Sequence, residues 1–299
     1  MKHRVAHATR HREVDMLARV RSEVWGFTRT FGLATAIAVS GVIFLSVDSI
    51  AAGRQPEVTA TYSIQLWGWL DAGDFTVKSR LKGGRYVLSS STDLVGWKGR
   101  ARSSGTVGGR KPRPVSYRFR GESSNKKEWV KLGFSGGVIK SVYPPIRKKG
   151  PVPVSKSHLV GAIDPLSAIL ALTRAPNGRV KGVNPCKGRI PIFDGKQRFD
   201  LKLSYKRKVK LKKSGRSNMP NYAFVCRVNY RPVAGFKRNK LTNYLSKTNG
   251  IELWLTPVAQ VGAFIPRYVR IPTPWGEVAV SAARVRMKSP GRGQVALLN

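Results

Sequence analysis

Acidic, histidine and cysteine residues are scarce in this sequence. The 299 residues include 15 Asp and Glu against 55 Lys and Arg, with 4 His and 2 Cys. Hydrolases need paired carboxylates or a nucleophile beside a base, and metal sites need several His, Cys, Asp or Glu ligands. The Gly-rich stretch "GTVGG" (105–109) also lacks the Lys-Ser/Thr of a phosphate-binding loop. The scarcity therefore argues against an enzyme, and neither a metal nor another cofactor is indicated.

Cysteine is limited to one pair, Cys186 and Cys226. In "YAFVCRVNY" (222–230) alternate residues are apolar and Cys226 shares their parity, which indicates that its side chain points into the core. Two cysteines and His158 are too few for a zinc site, and a reactive thiol favours a polar, partly exposed setting. A disulfide between the two cysteines is therefore predicted for a chain that reaches an oxidising compartment.

An uncharged apolar run, "FGLATAIAVSGVIFLSV" (31–47), follows a basic segment and precedes small residues within 49–52. This order is typical of a secretory signal peptide. We therefore predict a signal peptide over residues 1–52, cleaved among the small residues, and export to the bacterial periplasm. An uncleaved membrane anchor is the alternative. A start at Met16 in place of Met1 would give a signal of conventional length.

From Gly53 onward the chain has 48 Lys and Arg against 11 Asp and Glu, which leaves a net charge of +37. A surface this basic attracts anionic partners at long range, and more weakly as salt rises. For an exported protein the available anions are those of the envelope: lipopolysaccharide, phospholipid head groups and peptidoglycan. Export makes nucleic acid the less favoured partner, although Trp67, Trp69, Trp97 and Trp129 lie among basic residues, as stacking platforms do.

The densest basic stretch is "QRFDLKLSYKRKVKLKK" (197–213). Its apolar and basic residues alternate, so the pattern predicts a long amphipathic strand whose basic side chains share one solvated face. The candidate anion-binding residues of that face are Lys202, Lys206, Lys208, Lys210 and Lys212.

Alternation with period two recurs along residues 53–299 and predicts about a dozen strands separated by Gly, Ser, Asn and Pro. One helix interrupts them in "GAIDPLSAILALTRAPNG" (161–178), with Asp164 as its N-cap and Pro165 in its first turn. The predicted fold is mainly β: a single periplasmic domain over 53–299 with a large antiparallel curved sheet or open barrel and one short helix. Candidates for an apolar pocket beside that helix are Trp254, Phe264 and Trp275.

The motifs "DFTVKS" (74–79), "DPLSAILAL" (164–172), "PIFDGKQRFDL" (191–201) and "PVAGF" (232–236) occur in this order, with one Cys ahead of "FDG" and the other ahead of "PVAGF". In these motifs the chain resembles the domain of unknown function 3108 family of exported bacterial envelope proteins. The resemblance implies an exported protein with a curved antiparallel sheet and no established activity. It carries over no catalytic residue, and Asp194-Gly195 is interpreted as a hairpin turn.

These observations favour a non-catalytic periplasmic protein in peripheral contact with the membrane, which binds an anionic or lipidic envelope component, or an envelope protein, in envelope maintenance. An outer-membrane β-barrel is a second hypothesis, although no lipid-facing apolar band can be traced among the basic strands. A nucleic-acid-binding protein is a third. A hydrolase is a fourth, since Asp164, His158 and Ser167 could form a triad, but Asp and Ser near a helix start commonly serve as caps.

Overall fold

The computed structural model describes residues 57–108, 111–146, 151–212, 217–289 and 293–298. The predicted signal peptide and both candidate start residues lie outside these ranges. Within them, no helix combines the length and the apolar character needed to cross a membrane.

Fourteen strands among the described residues form one antiparallel sheet. They are β1 (Glu57–Leu66), β2 (Leu70–Lys82), β3 (Arg85–Leu94), β4 (Trp97–Gly108), β5 (Lys111–Ser123), β6 (Lys126–Ser135), β7 (Val138–Tyr143), β8 (Gly188–Phe193), β9 (Arg198–Lys210), β10 (Tyr222–Ala234), β11 (Glu252–Val258), β12 (Ala263–Thr273), β13 (Gly276–Ser289) and β14 (Gly293–Leu298). Neighbours run β7-β6-β5-β4-β3-β2-β1-β13-β12-β11-β10-β9-β8, and β14 pairs with β13 beside this path. The prediction of a large antiparallel sheet is confirmed.

Alternation along the strands sorts side chains between an inner and an outer side of the sheet. Tyr62, Phe75 and Leu88, on three neighbouring strands, share the inner side and are buried. On β1–β7, the first half of the sheet, outer residues such as Lys78 and Arg118 are exposed. On β8–β13, the second half, several outer residues are buried as well.

Two α-helices are present, α1 (Pro165–Thr173) and α2 (Lys240–Lys247). The first is the predicted helix, and it contacts β3, β4, β5, β8 and β12. Asp164 caps it as predicted, because its carboxylate accepts a hydrogen bond from the Ser167 N–H at 2.9 Å. Every residue of α1 except Ala171 is buried. The helix therefore packs against the inner side of the sheet.

The second helix, α2, is an addition to the single predicted helix. Asn239 caps it by accepting a hydrogen bond from the Thr242 N–H at 2.8 Å. Leu241 and Leu245 are buried one turn apart, and the helix contacts β10 and β12. Leu241, Tyr244 and Leu245 follow the spacing of an amphipathic helix, but over only eight residues among strands this signal was not recognised.

The segment that leads into α1 joins the two end strands of the sheet. Val160 forms an antiparallel bridge with Val138 of β7, and Ile163 forms a parallel bridge with Ile192 of β8. Both edges of the sheet are thus partly covered, which removes backbone groups that would otherwise pair with another chain.

The predicted Asp194-Gly195 turn joins β8 to β9. The Asp194 carboxylate accepts hydrogen bonds from the N–H groups of Lys196 and Gln197, both at 2.7 Å. Gly195 has a φ of +97°, and a side chain there would collide with Val130 of β6. Burial raises the pKa of Asp194, although the two backbone hydrogen bonds act to lower it. The turn therefore packs against the first half of the sheet.

Candidate functional site

The five lysines of the basic stretch do not form one face of β9. A β-bulge at Lys206, which has no partner residue on β10, reverses the alternation of the strand. Lys202, before the bulge, points to the outer side, whereas Lys208 and Lys210, after it, point to the inner side. Lys212 lies past the end of the strand. The regular spacing of lysine on both sides of the bulge conceals this reversal in the sequence.

Basic side chains at the bulge are held by a buried acid. Lys206 Nζ and Arg207 Nη1 lie 2.6 and 3.1 Å from Oε1 of Glu252, whose side chain is 4% exposed. The indole N–H of Trp254 donates to the other oxygen of this carboxylate at 2.9 Å. Burial alone would raise the pKa of Glu252, but the hydrogen bonds from these three residues outweigh it and bring the pKa to about 2. Lys206 and Arg207 therefore stabilise the fold by neutralising a buried carboxylate.

The aromatic residues Trp254, Phe264 and Trp275 lie in three different places and do not line one pocket. Leucines take the inner positions of β11, so Trp254 points outward and packs edge-on against Tyr268. Phe264 is fully buried on the inner side. Trp275 lies in the turn between β12 and β13 and is 36% exposed. The helix α1 itself packs against the inner side of the sheet at the place where the apolar pocket was predicted.

The two cysteines are bonded, with an S–S distance of 2.07 Å between Cys186 and Cys226, and both are buried. Cys226 points to the inner side, as its parity predicts, and lies opposite Leu253 of β11. The bond ties the segment before β8 to β10, two strands away. This position gives the pair a structural role.

A buried polar cluster connects α1 to the sheet through Asp164, Ser167, Ser103 and Tyr86. The hydroxyls of Ser167 and Ser103 donate to Oδ2 of Asp164 at 2.5 and 3.0 Å. The Ser167 hydroxyl is also 2.7 Å from the Tyr86 hydroxyl. Burial raises the pKa of Asp164 to about 6 against the lowering effect of these hydrogen bonds. The cluster anchors the start of α1 to β3 and β4.

The polar cluster does not include a histidine that could act as the base of a catalytic triad. The His158 ring accepts a hydrogen bond from the Ser155 N–H at 3.0 Å, and none joins it to Asp164 or Ser167 in the described chain. A G-x-S-x-G pattern at 133–137 crosses the β6–β7 turn, whereas a nucleophile elbow joins a strand to a helix. Among the described residues, no group of three His, Cys, Asp or Glu could hold a metal ion.

Four arginines and a lysine lie together on the outer side of β4, β5 and β6. This arginine face consists of Arg100, Arg102, Arg118, Arg120 and Lys131, all exposed. Arg100 is directly opposite Arg120, and Arg102 is opposite Arg118, which is opposite Lys131 on its other flank. Opposed residues have Cβ atoms about 5 Å apart, and like charges so placed repel each other.

No acid neutralises the arginine face. In the described part of the chain its five residues form no ion pair, whereas the adjoining outer row does. There Lys98 lies 2.9 Å from Asp93, and Lys127 lies 3.3 Å from Glu122. The acids border the face without entering it, so its positive charge is concentrated and accessible to an anion.

Two exposed aromatic side chains adjoin the arginine face, Trp129 at 43% and Tyr143 at 55% exposure. The Arg120 guanidinium lies 4.3 Å from the Trp129 ring centre, and the Lys131 ammonium lies 5.5 Å from the Tyr143 ring centre. These contacts position the cations without neutralising them. Aromatic rings with a polar edge, set beside cations, suit the boundary between water and lipid.

The arginine face was missed in the sequence because β4 lacks the apolar alternation of a strand. After Trp97 its inner positions are small, and a side chain at Gly99 would overlap the Trp97 ring. Another inner position, Ser103, belongs to the polar cluster. The signal that could have found the face is the alternation of basic residues in "KGRAR" (98–102) and "RFR" (118–120).

Comparison with known proteins gives a family and no activity. The model of the family described as "Protein of unknown function (DUF3108)" matches residues 61–282, which include the arginine face, the disulfide and the polar cluster. No curated protein matches the chain. Among solved structures, a DUF1329 family protein from Desulfovibrio piger is similar at 9% identity, covering 78% of this chain and 85% of that chain, with a TM-score of 0.28.

Proposed function

This chain belongs to the DUF3108 family, as its motifs predicted, and we propose that it is a non-catalytic, exported envelope protein that binds phosphate-bearing lipid head groups through the arginine face. The observation that carries the proposal is the opposition of Arg100 to Arg120 and of Arg102 to Arg118 with no acid among them. Like charges so placed destabilise a sheet. A phosphate between two guanidinium groups replaces that repulsion with charge-assisted hydrogen bonds.

The surroundings of the arginine face favour a membrane surface over a soluble polyanion. Trp129 and Tyr143 are exposed beside the cations, where their rings would enter the head-group layer. Each basic residue near an anionic membrane contributes about 1 kcal/mol, so five such residues hold a protein at the surface without a lipid anchor. Export is supported by the signal-like segment at 31–47 and by the bonded cysteine pair.

The test is binding to vesicles of phosphatidylcholine with and without phosphatidylglycerol, measured by flotation at two salt concentrations. One variant carries glutamine at Arg100, Arg102, Arg118 and Arg120. The matched control carries glutamine at Lys202, Lys208, Lys210 and Lys212, so both variants lose the same charge. We expect the arginine variant to bind anionic vesicles about a thousandfold more weakly, at about 1 kcal/mol per residue. The lysine variant should lose far less.

Two outcomes contradict the proposal. An equal loss in the two variants would mean that total charge, and not the arginine face, holds the protein at the vesicle. Unchanged vesicle binding by the arginine variant, together with lost binding to soluble polyphosphate, would identify a soluble polyanion as the partner. Replacing Trp129 by Ala should weaken vesicle binding and leave polyphosphate binding unchanged, which separates the two classes of ligand.

A further inference from the structure

Arg174, the C-cap residue of α1, is buried, and two of its three guanidinium nitrogens have no partner among the described residues. It is 9% exposed, and its Nε and Nη1 atoms have no hydrogen-bond acceptor in the described structure. Its backbone forms a bridge with Ala263 of β12, which pairs with Val258. Ala263, Val258 and the adjacent Ala175 are fully buried and apolar. Two nitrogens of the guanidinium group are therefore withdrawn from water without an acceptor, and burial lowers the pKa of Arg174.

Other buried charges in the described chain are satisfied. Arg198 lies 2.7 Å from Asp200 and donates to two backbone carbonyls. Asp164 accepts hydrogen bonds from three donors. The Nε of Arg227 is also unpaired, but that side chain is only half-buried. The contrast indicates that the described residues do not supply the acceptor for Arg174.

We propose that Arg174 is an internal anion-binding residue that holds the carboxylate or phosphate monoester head of a small amphiphilic ligand. Both head groups present paired oxygen atoms that match the fork of a guanidinium group. The residues at the adjoining backbone, Ala175, Ala263 and Val258, are apolar, which is why the ligand is assigned a short hydrocarbon tail. The site lies at the end of α1 beside β12, whereas the arginine face lies on β4, β5 and β6. The proposal is thus independent of binding at the arginine face.

The first readout is the stability of the ligand-free protein. Arg174→Met removes the charge and keeps an apolar side chain of similar length. An unpaired buried charge destabilises the fold, so this variant should unfold at an equal or higher denaturant concentration than the parent protein. The matched control is Arg179→Met, the same change at an exposed position five residues along, which should leave the unfolding midpoint unchanged.

The second readout is ligand binding by calorimetry with hexanoate, hexyl phosphate and, as the uncharged probe, hexanol. We expect one saturable site for one of the two acids in the parent protein and in Arg179→Met. In Arg174→Met the affinity should fall about a hundredfold, the size of effect seen when one member of a buried charge pair is removed. Hexanol should bind none of the three proteins measurably. The acid that binds assigns the head group.

Three results would overturn the proposal. One is a ligand-free Arg174→Met protein that is clearly less stable than the parent or fails to fold, since that would show that Arg174 has partners within the chain. The others are unchanged affinity for the acid in Arg174→Met, and no saturable binding of either acid by the parent protein. The glutamine variant of the arginine face should retain the internal site, so the two proposals can fail separately.

Discussion

The two halves of the sheet use their basic residues differently. In the first half, the arginine face places Arg100 opposite Arg120 and Arg102 opposite Arg118 with no acid between them. In the second half, scarce acids neutralise the basic residues beside them. Ion pairs there join Asp200 to Arg189 and Arg198, Glu252 to Lys206 and Arg207, and Glu277 to Arg270. These paired cations of the second half are therefore structural, whereas the five cations of the arginine face are available to a partner.

The inner side is also held by different means in each half. A disulfide ties Cys186 to Cys226 within the second half. In the first half, α1 is attached through a hydrogen bond from the Ser103 hydroxyl to the buried carboxyl of Asp164. A covalent bond does not respond to pH, whereas a buried carboxyl does. The two halves should therefore respond to different perturbations.

The largest effect is expected from removing the disulfide of the second half by replacing Cys186 and Cys226 with Ser. The cysteines are 40 residues apart in sequence, and closing such a loop stabilises a fold by about 4 kcal/mol in the chain-entropy model. Because each kcal/mol moves the Tm of a domain this size by about 2–4 °C, the double variant should melt roughly 8–16 °C lower. Differential scanning calorimetry measures the change.

Reduced parent protein serves as the control, since it lacks the bond and keeps both sulfur atoms. Its Tm should match that of the double serine variant and lie well below that of the oxidised parent. Equal Tm values for the oxidised parent and the double serine variant would mean that the two thiols are not bridged in the native protein. The second half would then not be held by a covalent bond, and the contrast with the first half would disappear.

The next effect concerns the first half and depends on pH. The folded protein holds the Asp164 proton up to a pKa of about 6, whereas the unfolded chain releases it near its ordinary value of about 4. Between these values the folded state binds more protons, so stability falls as pH rises from about 4 to about 6, by on the order of 3 kcal/mol. Asp164→Asn cannot titrate, and its decline across this window should be much shallower.

Urea unfolding at intervals between pH 4 and pH 7 measures these slopes. The stability of Asp164→Asn should still fall somewhat as pH rises, because burial also raises the pKa of Asp194. The matched control is Asp93→Asn, whose carboxyl is 65% exposed beside Lys98 and which should leave the slope unchanged. Equal slopes for Asp164→Asn and the parent protein would mean that the Asp164 carboxyl is not the group responsible.

Much of the fold could be predicted because many of its features depend on residues close together in the chain. The Asp164 cap and the Asp194 turn each involve hydrogen bonds to residues two or three positions away. The position of Lys206 in a bulge depends instead on pairing with β10. Gly99 replaces an apolar residue because the Trp97 ring occupies the space. The arginine face exists only where three strands align, so the alternation of basic residues within each strand does not show that they lie opposite one another.

The smallest predicted effect compares the two halves most directly. Replacing an arginine by glutamine should raise the free energy of unfolding in the first half and lower it in the second. Arg118→Gln removes repulsion from Arg102 and Lys131 and should raise the free energy of unfolding by about 0.5 kcal/mol. Arg207→Gln removes a partner of the buried Glu252 carboxylate and should lower it by about 1 kcal/mol. Urea unfolding at low and high salt measures both changes. Because salt screens exposed charges, the gain in stability of Arg118→Gln should shrink at high salt. The loss of stability of Arg207→Gln should largely persist. A loss of stability in Arg118→Gln would show that the arginine face contributes to the fold and would remove the reason to assign it to a ligand.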